Sequence, residues 1–342
     1  MRDLIKMRGL QLFAENPLNT NVTGDPGLSV ENKTFYDKAL IEEASPELVH
    51  AQFGQKRPIP KNGGKTIEFR KYASLPKALT PLTEGVTPEG RKLNASKIEA
   101  TVNQYGDFVC LSDVLDLTAI DNNVLEATKA IGHQAGLTLD TITRNVLQSG
   151  TNVFYCPKVG SDGSVTPVTS RSGLNATCTL TVDVVKKVAA MLKAANAPKI
   201  AGDYVCILHP YVAYDIMSDP HWEDMHKYCK PEEQYEGEIG RIAGVRFVET
   251  SEAAVYSGDG CPAGLAVFGC LFIAEGAYGV TEVTGGGLQT IIKQLGSGGT
   301  SDPLDQRSTV GWKAMQTAEI LQQAYMYRVE CCSAFSPSAK MN

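Results

Sequence analysis

The sequence lacks the features that membrane and secreted proteins require. None of its 342 residues lies in an apolar run that approaches the roughly 20 residues of a membrane-spanning helix. Residues 1–13 interleave charged and apolar side chains, so the uninterrupted apolar core of a signal peptide is missing. We therefore expect no membrane partner.

The sequence also lacks an excess of positive charge. It has 32 Lys and Arg against 38 Asp and Glu, a net charge of −6. A dedicated nucleic-acid binder needs a clustered positive face, so this balance argues against that class and leaves room only for local basic patches. The 43% of hydrophobic residues is ample for a continuous core.

Cysteine usage argues against a disulfide framework. The nine cysteines are odd in number and scattered, and only Cys331 and Cys332 are close in sequence. Adjacent cysteines rarely form a bridge without strain, and Cys206 lies in an apolar run where a thiol acts as a small hydrophobe. We expect reduced thiols and a reducing compartment.

Catalytic and metal-binding motifs are missing as well. The sequence has no Gly-x-Ser-x-Gly elbow, no His-Glu-x-x-His and no paired Cys-x-x-Cys. Gly63-Gly64-Lys65-Thr66 looks like the end of a Walker A loop, but Ile59 stands where the first glycine belongs and a strand pattern follows. We read it as a turn that leads into a hairpin, and we predict no catalytic residue, cofactor or metal.

One cluster keeps an enzymatic alternative open. His221, His226 and Cys229 lie close in sequence, and these side chains are zinc ligands in many proteins. Their spacing differs from the common zinc motifs, so surface or capping roles are favoured. A soluble zinc-dependent enzyme remains the alternative from a different class.

The longest predicted element is a helix over Asn123–Gln148. Apolar residues recur there at steps of three and four, which places them on one helical face. Gly132 and Gly136 each cost such a helix about 1 kcal/mol relative to alanine, which suggests a closely packed neighbour or a bend.

Residues 56–111 read as a long two-stranded excursion. One limb alternates through Ile67 and Phe69, and the other runs through Ile98 and Ala100 on to Leu111. The prolines and glycines of residues 79–90 require a turn between them. The first limb is basic, and an isolated two-stranded ribbon is marginal in water, so this one should find a partner surface.

The flanking segments complete the predicted order. Residues 1 to about 33 form an arm whose composition seldom folds alone. Thr181 is predicted to cap a helix, Tyr204–Leu208 to form a buried strand, and Pro210 to begin another helix. Residues 219–238 are acidic, and residues 308–334 are rich in strand patterns.

These parts and their local sequences resemble the major capsid proteins of tailed phages, the HK97-type fold, and within it the phage N4-like branch. The resembling stretches are spread along most of the chain from about residue 33 onward, and they are residues 33–40, 81–88, 237–248, 267–269, 302–306 and 311–313. The resemblance implies an α+β fold with an N-terminal arm (1–55), an extended hairpin loop (56–111), a peripheral domain with a spine helix (112–179), an axial domain (180–305) and return strands of the peripheral domain (306–342).

The function implied by the resemblance is assembly rather than catalysis. Hexamers and pentamers of the chain would close an icosahedral shell around phage double-stranded DNA, with a portal and possible scaffolding or decoration proteins as partners. The location would be the virion capsid, assembled in the host cytoplasm. An encapsulin-like compartment shell is the close alternative.

Inter-subunit contacts are expected where the hairpin and the acidic segment carry charge. The predicted contact residues are Lys56, Arg57, Lys61, Thr83, Glu84, Arg91, Glu223, Asp224, Glu232 and Glu233. Some relatives join a loop lysine to a neighbour's asparagine, but no supporting acid accompanies Lys77 or Lys92, so we predict no crosslink.

Overall fold

The structure, a computed structural model, describes residues 49–72, 75–87, 89–118, 123–160, 162–222, 240–258, 260–298 and 302–335. Its strands are β1 (Gln55–Lys56), β2 (Thr66–Tyr72), β3 (Ala95–Thr101), β4 (Asn103–Ser112), β5 (Val153–Tyr155), β6 (Lys158–Val159), β7 (Val165–Thr166), β8 (Tyr204–Leu208), β9 (Arg241–Ile242), β10 (Val245–Glu249), β11 (Ala254–Tyr256), β12 (Val267–Ile273), β13 (Tyr278–Glu282), β14 (Gln289–Lys293), β15 (Arg307–Ile320) and β16 (Met326–Cys331). The α-helices are α1 (Asp113–Thr118), α2 (Asn123–Gln148), α3 (Val182–Ala194) and α4 (Pro210–Met217). Of the predicted arm, only residues 49–55 are among those described.

The described residues divide into two compact units. The small unit consists of Gln104–Thr138 and Gly286–Met315. The large unit contains the described residues of Pro46–Asn103, Leu139–Gly285 and Gln316–Asn342. Helix α2 and strand β15 each contribute residues to both units, so each unit is built from separate parts of the chain.

The core of the large unit is a mixed sheet with strand order β5-β16-β12-β8-β10-β9, in which β11 also pairs with β12. Every residue of β8 and β12 is buried. Both strands are continuous apolar runs, the pattern expected of strands covered on both faces. Val188 and Leu192 of α3 and Ile216 of α4 pack into the same core.

The two helices that cover this sheet begin with different caps. Helix α4 has the predicted proline start, and the His209 ring nitrogen Nδ1 accepts from the Tyr211 N–H at 3.1 Å. Thr181 occupies the predicted N-cap position of α3, but its side chain makes no capping hydrogen bond. Asp219, distant in sequence, instead accepts from the Val182 N–H at 2.9 Å. Local spacing cannot identify a cap that the tertiary fold supplies.

The predicted long helix is confirmed, with the same bounds, as α2. Ile131, Ala135 and Leu139 of the predicted apolar stripe are buried. Beyond them the buried face turns polar and includes Asp140 and Arg144. The close packing expected at Gly132 is absent, because a Cβ there would meet no described atom within 4 Å.

The predicted hairpin is present but shorter than expected. Strands β2 and β3 form a two-stranded antiparallel sheet that pairs Thr66 with Thr101 and Tyr72 with Ala95. Lys56 lies in β1, which pairs parallel with β13, and the Arg57 N–H donates to the Val280 carbonyl. Strand β4 pairs with β15. The residues at both ends of the predicted excursion therefore pair with β13 and β15, and they do not belong to the two-stranded ribbon.

The small unit is organised around the first half of β15. Strand β14 pairs with it antiparallel, from Gln289 opposite Lys313 to Lys293 opposite Thr309, and β4 pairs with it as well. Trp312 is buried, and its indole N–H donates to the Gln134 side chain of α2 at 3.4 Å.

Candidate assembly surfaces

The described residues of the connection between β2 and β3 expose their apolar side chains. These residues form neither helix nor strand. They include one turn, in which the Val86 N–H donates to the Thr83 carbonyl and Gly85 has a φ of 76°. The exposed fractions of its large apolar side chains run from 55% to 82%, for Leu75, Leu79, Leu82, Val86 and Leu93. Such a concentration of exposed apolar residues in one segment marks an interaction surface.

The same excursion concentrates positive charge. Residues 56–99 contain ten Lys and Arg and four Asp and Glu, a net of +6 in a chain whose total is −6. Lys97 contacts both Glu68 and Glu99. These contacts raise the pKa of Lys97, and the hydrogen bond to Glu99 has the largest effect. Among the described residues, the other Lys and Arg of this segment have no carboxylate partner, so their charges are available to a second molecule.

Six of the predicted contact residues are among those described, and they lie before and after β2 in the sequence. Lys56 and Arg57 lie in or beside β1, and Lys61 lies in the turn before β2. Thr83, Glu84 and Arg91 lie in the connection that follows β2. All six are exposed and therefore accessible to a second copy of the chain.

The acidic residues predicted to meet the basic limb lie outside the described residues. They are Glu223, Asp224, Glu232 and Glu233. The predicted pairing of acidic and basic residues therefore stays a prediction.

A second exposed apolar set belongs to the small unit and was missed by the sequence reasoning. Every residue of β14 is exposed. The exposed apolar side chains of this unit include Val114, Leu117, Leu288, Ile291, Ile292, Leu295 and Leu304. In a strand, an alternating apolar pattern predicts which residues face a core. Both faces of β14 are exposed, so its sequence has no pattern that predicts an exposed apolar surface.

A buried histidine–aspartate pair fixes the chain just before β1 to helix α2. His50 Nδ1 lies 2.6 Å from Asp140 Oδ2, and the His50 N–H donates to Asp140 Oδ1 at 2.8 Å. Both side chains are at most 2% exposed. The Tyr278 hydroxyl of β13 donates to the His50 carbonyl, and burial raises the pKa of Tyr278. The chain just before the basic excursion is therefore held by buried polar contacts to both α2 and β13.

A second buried polar cluster joins the end of α2 to the main sheet. Glu330 is fully buried, and Arg171 binds its carboxylate in a bidentate manner at 2.7 and 2.6 Å. The Arg171 guanidinium also stacks 3.7 Å from the Tyr256 ring centroid, and the Tyr256 hydroxyl donates to Gln148 at 2.8 Å. The charge of the buried Glu330 carboxylate is matched by Arg171 within the chain, so the cluster is structural.

The remaining chemical candidates have structural explanations within the part of the chain that the structure describes. No group of three His, Cys, Asp or Glu residues there could hold a metal ion. His221 is exposed and contacts Asp219, whereas His226 and Cys229 lie outside the described residues. The Walker-like glycines form the predicted turn, in which the Gly63 N–H donates to the Pro60 carbonyl before β2 begins. None of the described helices is long and apolar enough to cross a membrane.

Comparison with known proteins agrees with this picture. A family model described as phage capsid protein matches residues 99–263. The fold is shared with the capsid of Cyanophage P-SCSP1u (12% identity, 96% of this chain and 99% of that chain, TM-score 0.66). It is also shared with the capsid of Ralstonia phage GP4 (15% identity, 93% of this chain and 99% of that chain, TM-score 0.64). The capsid of Cyanophage Pam1 has the same fold (14% identity, 95% of this chain and 99% of that chain, TM-score 0.65). A search of curated proteins gives no match. The chain therefore has the fold of phage capsid proteins, and the function predicted from its sequence, a capsid protein, is confirmed.

Proposed function

We propose that this protein is the major capsid protein of a tailed phage, with the HK97-type fold and of the N4-like branch. Copies of the chain form hexamers and pentamers that close an icosahedral shell around double-stranded DNA. A portal occupies one position in the shell, and scaffolding or decoration proteins bind to it. Assembly takes place in the host cytoplasm and requires neither a cofactor nor catalysis.

The exposed connection between β2 and β3 carries this proposal. Leu79 and Leu82 are 82% and 78% exposed in the single chain. Exposing a Leu side chain in place of burying it costs about 1.5–3 kcal/mol, so several such residues in one segment favour association. In a closed shell every copy provides the surface that the next copy's hairpin needs.

The experiment that tests the function is electron microscopy of the purified full-length chain. We expect closed shells of uniform size, or capsomers that convert to shells when the protein is concentrated. A chain that stays monomeric in all conditions would contradict the proposal. The encapsulin-like alternative predicts shells that enclose protein cargo, so a portal and a terminase gene beside this one would decide for the phage capsid.

The domain division follows from the same proposal. Residues 1–55 form the arm, 56–111 the extended loop, 112–179 the peripheral domain with the spine helix, and 180–305 the axial domain. Residues 306–342 return to the peripheral domain. Support comes from α2, whose 26 residues span about 39 Å and give a peripheral domain its long axis.

A specific contact between copies follows from the charges. We propose that the basic limb near Lys56, Arg57 and Lys61 lies against the acidic segment of a neighbouring copy, which contains Glu223, Asp224, Glu232 and Glu233. Exposed pairs of this kind contribute about 0–1 kcal/mol each, so their effect comes from repetition around the shell.

Charge reversal tests this contact. The triple variant Lys56→Glu, Arg57→Glu and Lys61→Glu should assemble several-fold more slowly at low salt, because it replaces attraction by repulsion. The control reverses three exposed lysines of α3 (Lys186, Lys187 and Lys193) and should assemble normally. Light scattering follows the rate, and equal rates for the two triple variants would refute the contact.

A further inference from the structure

An open cleft lies beside the second half of strand β2, wholly within the large unit. Its volume is about 400 Å³. Phe69 and Tyr325 contribute aromatic surface to it, and Arg57, Arg70 and Lys71 contribute positive charge. Pockets of this size hold small ligands, and a few charged groups on an apolar wall give them their specificity.

The charges of the cleft have no counterpart within the chain. No Asp or Glu lines it. Arg57, Arg70 and Lys71 make no ion pair with any described residue, whereas Lys97 on the neighbouring strand β3 is paired with Glu68 and Glu99. Three like charges around one concave space repel one another, and an anion bound among them would lower this repulsion.

Strand β2 forms one wall of the cleft. Arg70, Lys71 and Tyr72 lie on this strand and line the cleft. Guanidinium and ammonium groups are donors that bind phosphate oxygens in proteins.

We propose that this cleft is a binding site for phosphate groups, either of a free polyphosphate anion or of a nucleic-acid backbone. One carboxylate carries a single charge and leaves two of the three cations unmatched, whereas a phosphate group or a chain of such groups supplies more charge in the same volume. The arginine guanidinium is planar and binds phosphate oxygens through two parallel hydrogen bonds, so Arg57 and Arg70 are the lining residues chemically best suited to phosphate.

The consequence for the shell rests on the proposed function. Each hairpin brings a net charge of +6 to a crowded lattice of identical copies, and a bound anion lowers the repulsion between these segments. Binding itself does not depend on assembly, because all the residues that line the cleft come from one chain.

The chain offers a matched pair of variants to test the site. Arg70→Gln with Lys71→Gln removes an adjacent Arg-Lys pair that lines the cleft. Arg91→Gln with Lys92→Gln removes an adjacent Arg-Lys pair from the exposed connection of the same hairpin. Both pairs are exposed and unpaired, so the two variants lose the same charge and should fold alike.

The measurement is isothermal titration of the purified full-length chain with inorganic pyrophosphate at low ionic strength. We expect saturable one-to-one binding that is about tenfold weaker or more in the cleft variant and changed less than twofold in the control. A single Arg57→Gln variant should show the same loss and serves if the double variant unfolds. Equal weakening in both double variants, or no saturable binding by the wild-type chain, would overturn the site.

A second titration distinguishes the sources of phosphate. A short double-stranded DNA oligonucleotide should compete with pyrophosphate if the backbone of nucleic acid is the ligand, and its affinity should then fall in the cleft variant. If the oligonucleotide binds both variants equally and leaves pyrophosphate bound, the ligand is the free anion. Electron microscopy of the same samples reports on shells separately, so failure of binding and failure of assembly are distinguishable.

Discussion

At the scale of single residues, the Asp140 carboxylate bonds to His50 among the described residues. One oxygen contacts the His50 ring, the other accepts from the His50 backbone N–H, and neither side chain reaches solvent. Replacing His50 by alanine keeps the backbone N–H but removes the ring, and a buried acceptor left without its partner costs about 1–3 kcal/mol.

His50→Ala should therefore lower the free energy of unfolding by about 1–3 kcal/mol. Urea unfolding measures this loss, and His221→Ala is the control, because the His221 side chain is 78% exposed and its loss should cost less than about 0.5 kcal/mol. The double variant His50→Ala with Asp140→Ala should cost less than the sum of the two single changes. Additive costs would show that the two residues do not act as a pair.

Asp215 gives a prediction about pH. Burial raises its pKa, while contacts with Ser333 and the Ala334 N–H lower it by a smaller amount. A carboxyl whose pKa is raised by folding favours the native state below its unfolded pKa, and this contribution is lost as the pH rises through the folded value.

Asp215→Asn removes that titration. The variant should be less stable than the wild type at pH 3, and the difference should shrink or reverse at pH 7, where the wild type buries a charge. Urea unfolding at the two pH values checks this. A difference that does not change with pH, or that grows between pH 3 and pH 7, would contradict the assigned direction.

At the scale of elements, the packing of the hairpin against the neighbouring sheet depends on a glycine in β13. A Cβ built on Gly279 would lie 2.9 Å from the Phe69 ring, closer than real Cβ contacts allow. Phe69 is 4% exposed, whereas most of β2 is exposed. The ring therefore anchors the ribbon against the backbone of the neighbouring sheet.

Gly279→Ala should destabilise the protein by about 1–3 kcal/mol, because the Phe69 ring must move. The same change made in a Phe69→Ala background should cost much less, and a double-mutant cycle by urea unfolding measures the difference. Gly132→Ala is the control, since its Cβ meets open space on a helix and should stabilise by up to about 1 kcal/mol. Equal costs of Gly279→Ala in both backgrounds would exclude the anchor.

The elements that the sequence predicted well are those with a strong local pattern. Helix α2, strand β8 and the start of α4 follow from apolar periodicity and a proline start. The cap of α3 by Asp219 could not be predicted, because only the tertiary fold brings that carboxylate to Val182. The pairing of β1 with β13 was missed for the same reason, since two residues carry no periodic signal.

The predicted contact residues show a similar division. Exposure of Thr83 and Arg91 follows from the turn residues around them. The cleft lined by Arg57, Arg70 and Lys71 could not be predicted in this way, because Arg57 follows β1, outside the ribbon, and only the fold brings it beside β2. A basic stretch in sequence therefore predicts charge, while the shape that concentrates the charge depends on the fold.

At the scale of the whole molecule, the core that folds the chain and the surface proposed for assembly consist of different residues. The core of the large unit buries its apolar side chains within the chain, whereas the connection between β2 and β3 keeps its leucines in water. Substitution in the first set should unfold the chain. Substitution in the second should leave the chain folded and remove its ability to associate.

Leu79→Ser with Leu82→Ser tests this separation. Thermal unfolding of the variant should match that of the wild type within about 0.5 kcal/mol, because neither side chain is buried in the chain. Shell formation, followed by sedimentation velocity, should be lost or need a several-fold higher protein concentration, since each copy loses apolar surface at an interface repeated throughout the shell.

The matched control is Val159→Ser with Val165→Ser, which removes two exposed apolar side chains from the short β6–β7 hairpin. It should form shells as the wild type does, because its loss of apolar surface lies away from the β2–β3 connection. Normal shells from the leucine variant, or equal impairment of both variants, would show that the exposed connection is not the surface that joins one copy to the next.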